Sequence, residues 1–159
     1  AFHAMYGLPY IALRYFNIYG PRMDIYGVYT EVLIKWLDKI DAHEAPILHG
    51  DGKQALDFVY ISDIVKANML ALVSKRIEGI YNVGTGRSTS LKKLLDILLE
   101  LTGSDLVPQY QKTVKRPYVQ KRQADVRKAV KELGFSANVH IREGLEQLIA
   151  WRKKQLEEK

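Results

Sequence analysis

The residues best suited to chemistry stand at the end of one apolar run. Leu13-Arg14-Tyr15-Phe16-Asn17-Ile18-Tyr19 stops at Gly20-Pro21. A ligand there would meet an aromatic pair able to wall a flat or sugar-like group, and an amide offering both a donor and an acceptor. The plainer alternative is a core strand whose Asn17 caps a turn. A second candidate is charge: between Lys112 and Lys131 stand Lys115, Arg116, Lys121, Arg122, Arg127 and Lys128. Such a run attracts an anion if it converges on a point, and otherwise solvates a surface. A third is Gly84-Thr85-Gly86-Arg87-Ser88-Thr89, set where a dinucleotide fingerprint would lie. Thr89 replaces its third glycine and no acidic residue follows at the ribose-binding distance, so it reads as a tight turn, although the helix start and Arg87 could still draw an anion. His3, His43, His49 and His140 share no ligand spacing, and the carboxylates form no evident acid–base pair. Neither a metal site nor a catalytic dyad is expected.

A chain of 159 residues, 47% hydrophobic and 26% charged, reads as one soluble globular domain. Its net charge of +6 favours an anionic partner without choosing among nucleic acid, a membrane surface and a phosphorylated small molecule. No apolar stretch nears the roughly 20 residues a spanning helix needs, and no basic segment followed by an apolar one opens the chain. Neither an anchor nor a signal peptide is expected. The absence of cysteine excludes disulfide and thiolate chemistry and fits a reducing compartment, most simply the cytoplasm.

These residues need elements to hold them. Tyr10 to Phe16 lacks polar alternation and reads as a parallel strand covered on both faces, with its ligand end at Asn17. Before it, residues 1 to 6 read as a helix end closed by Gly7. Thr30 opens a helix with Leu33, Trp36, Leu37 and Ile40 inward, and Ile47-Leu48-His49 is a short strand before the turn at residues 50–53. Asp57 to Ile61 is extended; Ser62-Asp63 then caps a helix carrying Val65, Met69, Leu72 and Val73 and closed by Gly79. Ile80 to Val83 is another buried strand, and Ser90 caps a helix with Leu91, Leu94, Leu95 and Leu98 inward. Leu106 to Gln123 reads as an irregular surface segment. Two helices follow, Asp125 to Leu133 with Val126, Ala129, Val130 and Leu133 on one face, and Ile141 to about Lys154. Strand, helix, strand, helix implies right-handed parallel crossovers.

Five stretches, in order, resemble one family: Leu-Arg-Tyr-Phe-Asn-Ile-Tyr-Gly-Pro at 13–21, Gly-Asp-Gly-Lys-Gln-Ala-Leu-Asp-Phe-Val-Tyr-Ile-Ser-Asp at 50–63, Tyr-Asn-Val-Gly-Thr-Gly at 81–86, Ala-Asp at 124–125 and Leu-Gly-Phe at 133–135. They are similar to the C-terminal half of the extended short-chain dehydrogenase/reductases, most closely the NAD-dependent nucleotide-sugar epimerases and dehydratases of the UDP-glucose 4-epimerase type. The resemblance implies an α/β fold: the last strands and helices of a Rossmann-type parallel sheet plus a small mixed α/β substrate-binding subdomain, all within 1–159. It implies a nucleotide-sugar site belonging to an NAD-dependent epimerase. Alternatives are a dehydratase or decarboxylase of the same family, or a non-catalytic anion-binding or oligomerisation module. The implied partners are a nucleotide-diphosphate sugar and further copies of the chain, with no nucleic acid and no membrane.

NAD is the cofactor of the parent enzyme and is not expected to bind this chain alone. The family's glycine-rich NAD loop is not in it, nor is the Tyr-x-x-x-Lys pair: Tyr6, Tyr15 and Tyr19 are followed four positions on by Tyr10, Tyr19 and Met23. No catalytic residue is therefore assigned. By resemblance, Tyr15 lies beside the nicotinamide, Phe16 against the sugar, and Asn17 on the phosphates. Val32 and Leu33 line the uracil pocket with His49 and Phe58 nearby, and Leu91 is an apolar contact. Arg116 matches an arginine that clamps the pyrophosphate, its spacing to Ala124-Asp125 one residue short; Arg122 or Lys115 could take that role instead. Leu56 departs from the pattern, since the family carries a pyrophosphate-binding arginine there. The missing charge-assisted contact is worth about 1.5–3 kcal/mol, and the basic segment from 112 to 122 could replace it.

Overall fold

A computed structural model describes residues 1–26, 31–76, 78–112 and 119–158. Among these residues fifteen elements follow one another: α1 (Phe2–Tyr6), β1 (Tyr10–Tyr15), β2 (Asn17–Tyr19), α2 (Val32–Asp41), β3 (Ile47–His49), β4 (Ala55–Leu56), β5 (Phe58–Tyr60), α3 (Ile61–Leu72), β6 (Glu78–Val83), β7 (Thr89–Ser90), α4 (Leu91–Thr102), β8 (Gln109–Gln111), β9 (Lys121–Arg122), α5 (Arg127–Leu133) and α6 (Ile141–Glu157). Thr30, expected to open the second helix, lies outside the described residues. No described helix is long and apolar enough to cross a membrane.

The strands pair β1 with β6, β2 with β5 and β3 with β8, all parallel, and β4 lies between antiparallel β7 and parallel β9. At residues 16 and 17 the chain changes neighbours. The Phe16 N–H donates to the Val83 carbonyl at 3.0 Å, and the Asn17 N–H donates to the Asp57 carbonyl at 3.0 Å. The strand that delivers Asn17 thus leaves one partner for another at the candidate site.

Period-2 alternation sends successive residues of β2 and β5 into different cores. Tyr19, Phe58 and Tyr60 join Leu33, Trp36, Leu37, Leu94, Leu98, Leu145 and Leu148 in a core closed by α2, α4 and α6. Val59, with partly buried Ile18, turns to the other side and meets Ile64, Ala67, Tyr81, Val83, Ala129 and Phe135. Polar anchors tie α6 down. Arg152 pairs with Asp38 at 2.5 Å and with Asp41, and the Tyr60 hydroxyl donates to the Gln147 side-chain oxygen at 2.7 Å. Gly144 lets α6 approach this closely, because a Cβ there would fall on the Tyr19 hydroxyl.

Several expectations need correction. The β1–β6 pair is covered on one face: Ile11, Leu13, Tyr81 and Val83 meet the second core, whereas Tyr10 and Ile80 on the other face are exposed. On α3 the buried residues are Asp63, Ile64 and Ala67, while Val65, Met69, Leu72 and Val73 face outward. Asp63 does not cap its own helix. Its carboxylate accepts the Asn138 and Val139 amides at 3.0 and 3.1 Å, anchoring the approach to α6. Gly79 does not end α3 but lies inside β6. The segment read as irregular contains β8 and β9, and Val130 of α5 is exposed. Ser90 does cap α4, accepting the Lys93 amide at 3.2 Å, and Gly103 follows that helix with φ 65°.

Candidate functional site

Three consecutive residues join the site. Leu56 ends β4, Phe58 begins β5, and Asp57 is the single residue between the two sheets. Phe58 is in register with Asn17, and Leu56 with Arg122 on one side and Thr89 on the other. Residues paired this way lie about 4.8 Å apart, so Asn17 of β2 and Arg122 of β9, in separate sheets, flank successive stretches of the one segment 55–60 although they are far apart in sequence. Arg122 is exposed and has no carboxylate partner among the described residues.

The Asn17 side chain is fixed. Its Nδ2 donates to the Asp57 carbonyl at 2.9 Å, which leaves a second N–H and the Oδ1 acceptor available to a ligand. Asp57 is fully buried and pairs with no cation among the described residues. Its carboxylate instead accepts from the Thr85 amide at 2.8 Å, the Thr85 hydroxyl at 2.6 Å, the Gly86 amide at 2.9 Å and the Ala124 amide at 3.1 Å. A buried charge is tolerable when its lone pairs are filled in this way. The turn at 84–86 therefore wraps the chain's own carboxylate, and a Cβ at Gly84 would come within 2.7 Å of Ala124 Cβ and 3.0 Å of Asp57 Oδ2.

The apolar candidates divide. Val32 and His49 line a cavity of about 680 Å³ with Lys35, Trp36, Lys39 and Ile47. The Trp36 Nε1–H donates to the Ile47 carbonyl at 2.9 Å, which fixes one wall. Leu33 is 1% exposed and belongs to the core; Leu91, half-buried, packs against the same cluster. Phe58 is buried beneath a cavity of about 240 Å³ that Arg87, Lys93 and His140 also line. Phe16 is half-buried at the strand junction. Tyr15 is 42% exposed and its hydroxyl donates to the Asn68 side-chain oxygen at 2.9 Å. Arg116 and Lys115 lie outside the described residues. Among those described, no group of three His, Cys, Asp or Glu side chains could hold a metal ion.

Titration adds no acid–base pair. Burial pushes the Tyr19 and Tyr60 hydroxyls up, with Tyr60 and Asp63 adding to the effect at Tyr19 and Glu143 at both, so both stay protonated. Asp125 is held down to about 2, first by its hydrogen bond from the Arg127 guanidinium, and that pair closes at 2.6 Å. The feature that residue-by-residue reading missed is Asp57. The available signal was a lone carboxylate between Leu56 and Phe58-Val59-Tyr60, a polar residue in an apolar stretch that must find partners.

Residues 1–84 match the model of the NAD dependent epimerase/dehydratase family. The crystal structure of a UDP-glucose 4-epimerase from Thermotoga maritima, solved with UDP-glucose, superposes with a TM-score of 0.89 at 38% identity, covering 98% of this chain and 49% of that one. A UDP-glucuronate 4-epimerase of Thermodesulfobacterium geofontis is 35% identical over 98% of this chain and 47% of its own length. A UDP-N-acetyl-alpha-D-glucosaminuronate decarboxylase of Bacillus cytotoxicus is 32% identical over 94% of this chain and 48% of its own. The chain spans about half the length of the curated relatives it matches, and its α/β architecture is that of the Rossmann-type epimerase structures.

Proposed function

Because this chain belongs to the NAD dependent epimerase/dehydratase family, we propose that it supplies the nucleotide-sugar site of an epimerase of the UDP-glucose 4-epimerase kind, acting in the cytoplasm. The observation that carries the reading is the register Leu56↔Arg122 beside Asn17↔Phe58. A guanidinium with no carboxylate partner among the described residues and a fixed amide with a free N–H and acceptor stand on strands paired with the consecutive β4 and β5, which suits a diphosphate. The cavity of Val32, Trp36, Ile47 and His49, mostly apolar and rimmed by Lys35, Asp38 and the Lys39–Glu44 pair, suits the base, with the sugar directed toward Tyr15 and Phe16. A decarboxylase among the relatives supports a second reading, in which the same bound nucleotide sugar is decarboxylated or dehydrated.

NAD, when bound to a member of this family, supplies hydride exchange at a sugar carbon. The described residues do not fit that group. The amides of Thr85 and Gly86, placed where a pyrophosphate cradle would be, are already bonded to Asp57, and Gly84 has no space before it. Tyr15 alone stands at a position the family sets beside the nicotinamide. The role proposed for this chain is to bind and orient a nucleotide sugar. Self-association through the bare side of β1–β6 and α3, where Tyr10, Ile80, Met69 and Leu72 are exposed, accompanies that role.

Titration of UDP into wild type, Asn17→Ala, Arg122→Ala and Leu56→Arg at low and high salt tests the site. Wild type binds weakly, and the binding falls with salt, since exposed charges are screened beyond about 8 Å at 0.15 M. The two alanine variants lose most of it, and Leu56→Arg gains about tenfold through a restored charge-assisted contact. Equal binding by all four removes the site from where it is placed here.

A further inference from the structure

Asp57 touches no candidate ligand group with its carboxylate, yet the strands that carry Asn17 and Arg122 are both tied to it. Its backbone carbonyl accepts both the amide and the side-chain N–H of Asn17, at 3.0 and 2.9 Å. Its Oδ2 accepts the Ala124 amide at 3.1 Å, two residues beyond Arg122, and the Gly86 amide at 2.9 Å. Its Oδ1 takes both the amide and the hydroxyl of Thr85. The Gln123 side chain closes the same loop by donating from Nε2 to the Gly86 carbonyl at 2.7 Å. Strand β9 is only two residues long and both are exposed, so little apolar burial holds it in place.

We infer that Asp57 is a positioning residue for anion binding: its buried carboxylate sets Arg122 by capturing the Ala124 amide, while its carbonyl sets Asn17. The inference rests on the nucleotide-sugar reading for the ligand. A purely structural carboxylate would fix the 84–86 turn and leave Arg122 indifferent to its loss. The chemistry of a single substitution separates the two roles. In Asp57→Asn the remaining oxygen can still accept both Thr85 donors, but the new NH₂ faces two other donors, the Gly86 and Ala124 amides, and can satisfy neither. The Ala124 side of the clamp is therefore released while the Thr85 side and the Asn17 carbonyl contact stay.

The test is a cycle of wild type, Asp57→Asn, Arg122→Ala and the double variant, each titrated with UDP by calorimetry at about 0.05 M and about 0.5 M salt. Amide exchange at residues 121–124 is followed in parallel. Asp57→Asn is expected to weaken UDP by about tenfold at low salt, to flatten the salt dependence as Arg122→Ala does, and to add little to Arg122→Ala in the double variant. Additive losses, or a folded Asp57→Asn that binds as wild type, overturn the inference. If Asp57→Asn does not fold, Thr85→Val removes the 2.6 Å hydroxyl donor to Asp57, together with that hydroxyl's two bonds to the Arg87 backbone, and leaves the Gly86 and Ala124 amides on Oδ2. It must give a smaller loss that again disappears in the Arg122→Ala background, and an unchanged affinity overturns the inference. If wild type itself binds no UDP, the nucleotide-sugar reading falls and amide exchange decides the positioning role. Faster exchange at residues 121–124 in Asp57→Asn upholds it, and unchanged exchange overturns it.

Discussion

The two sides of this molecule are finished differently. Where β2 and β5 run together, one face is closed by α2, α4 and α6 and the other by α3 and α5; Tyr19, Tyr60 and Leu148 are buried, and Arg152 locks α6 to α2 through Asp38 and Asp41. Where β1 and β6 run together, only one face is closed. Tyr10 and Ile80 are left exposed, with Met69, Leu72 and Val73 of α3 and Phe2, Met5 and Tyr6 of α1 also outward. The same kind of apolar side chain is thus a core residue on one side and exposed on the other. The candidate site sits at the seam, where β1 gives way to β2.

The largest expected effect sharpens that contrast in stability. Leu148→Ala, in the closed core, should cost about 2–5 kcal/mol of unfolding free energy, whereas Leu72→Ala on the open side should change it by less than about 0.5 kcal/mol. Urea unfolding of both variants measures this, and equal losses would abolish the distinction.

A smaller effect concerns association. If the open side is a contact surface, light scattering should find a dimer or higher form at micromolar protein, and Met69→Ser with Leu72→Ser should shift it toward monomer without lowering the unfolding midpoint. A clean monomer that binds no apolar dye would break the comparison.

The smallest effect is electrostatic and belongs to the open side, where Asp125 shares a cavity with Arg14, Ile80 and Asn82. The Asp125 carboxyl, held down to about 2 by Arg127, favours the folded state above the ordinary carboxylate range, and the benefit fades as pH falls toward 2. In Asp125→Asn the acid limb of the stability curve should flatten slightly. An Asp125 carbon resonance titrating at an ordinary carboxylate pH would show that the pair does not form.

The contrast also explains what could be read from the chain. Helices α2 and α4 were legible because their apolar period coincides with a face that is buried. On α3 the same signal misled. Val65, Met69, Leu72 and Val73 have helical spacing, but the stripe offset from them, Ile64 and Ala67, meets the core. Periodicity reveals a face, not what covers it. Strands β8 and β9 were illegible because Gln109-Tyr110-Gln111 and Lys121-Arg122 are held through backbone pairing with β3 and β4, without an apolar pattern of their own. At the site, Asn17 and Phe58 stood out as residue types in a motif. The placement of Arg122 beside Leu56 depends on a register between segments some 65 residues apart, which no local pattern encodes. The role of Asp57 was hidden for the same reason, since its donors come from residues 85, 86 and 124.

The central claim is that a nucleotide diphosphate binds at the seam, on Asn17 and Arg122. Amide shift mapping of the isotope-labelled chain during UDP titration tests it most directly. Shifts are expected to concentrate at Asn17, at residues 56–58 and at 121–124, with weaker ones around Val32 and His49. Shifts confined to Lys128 and Lys131 on α5, or no shifts with saturating UDP, would contradict it.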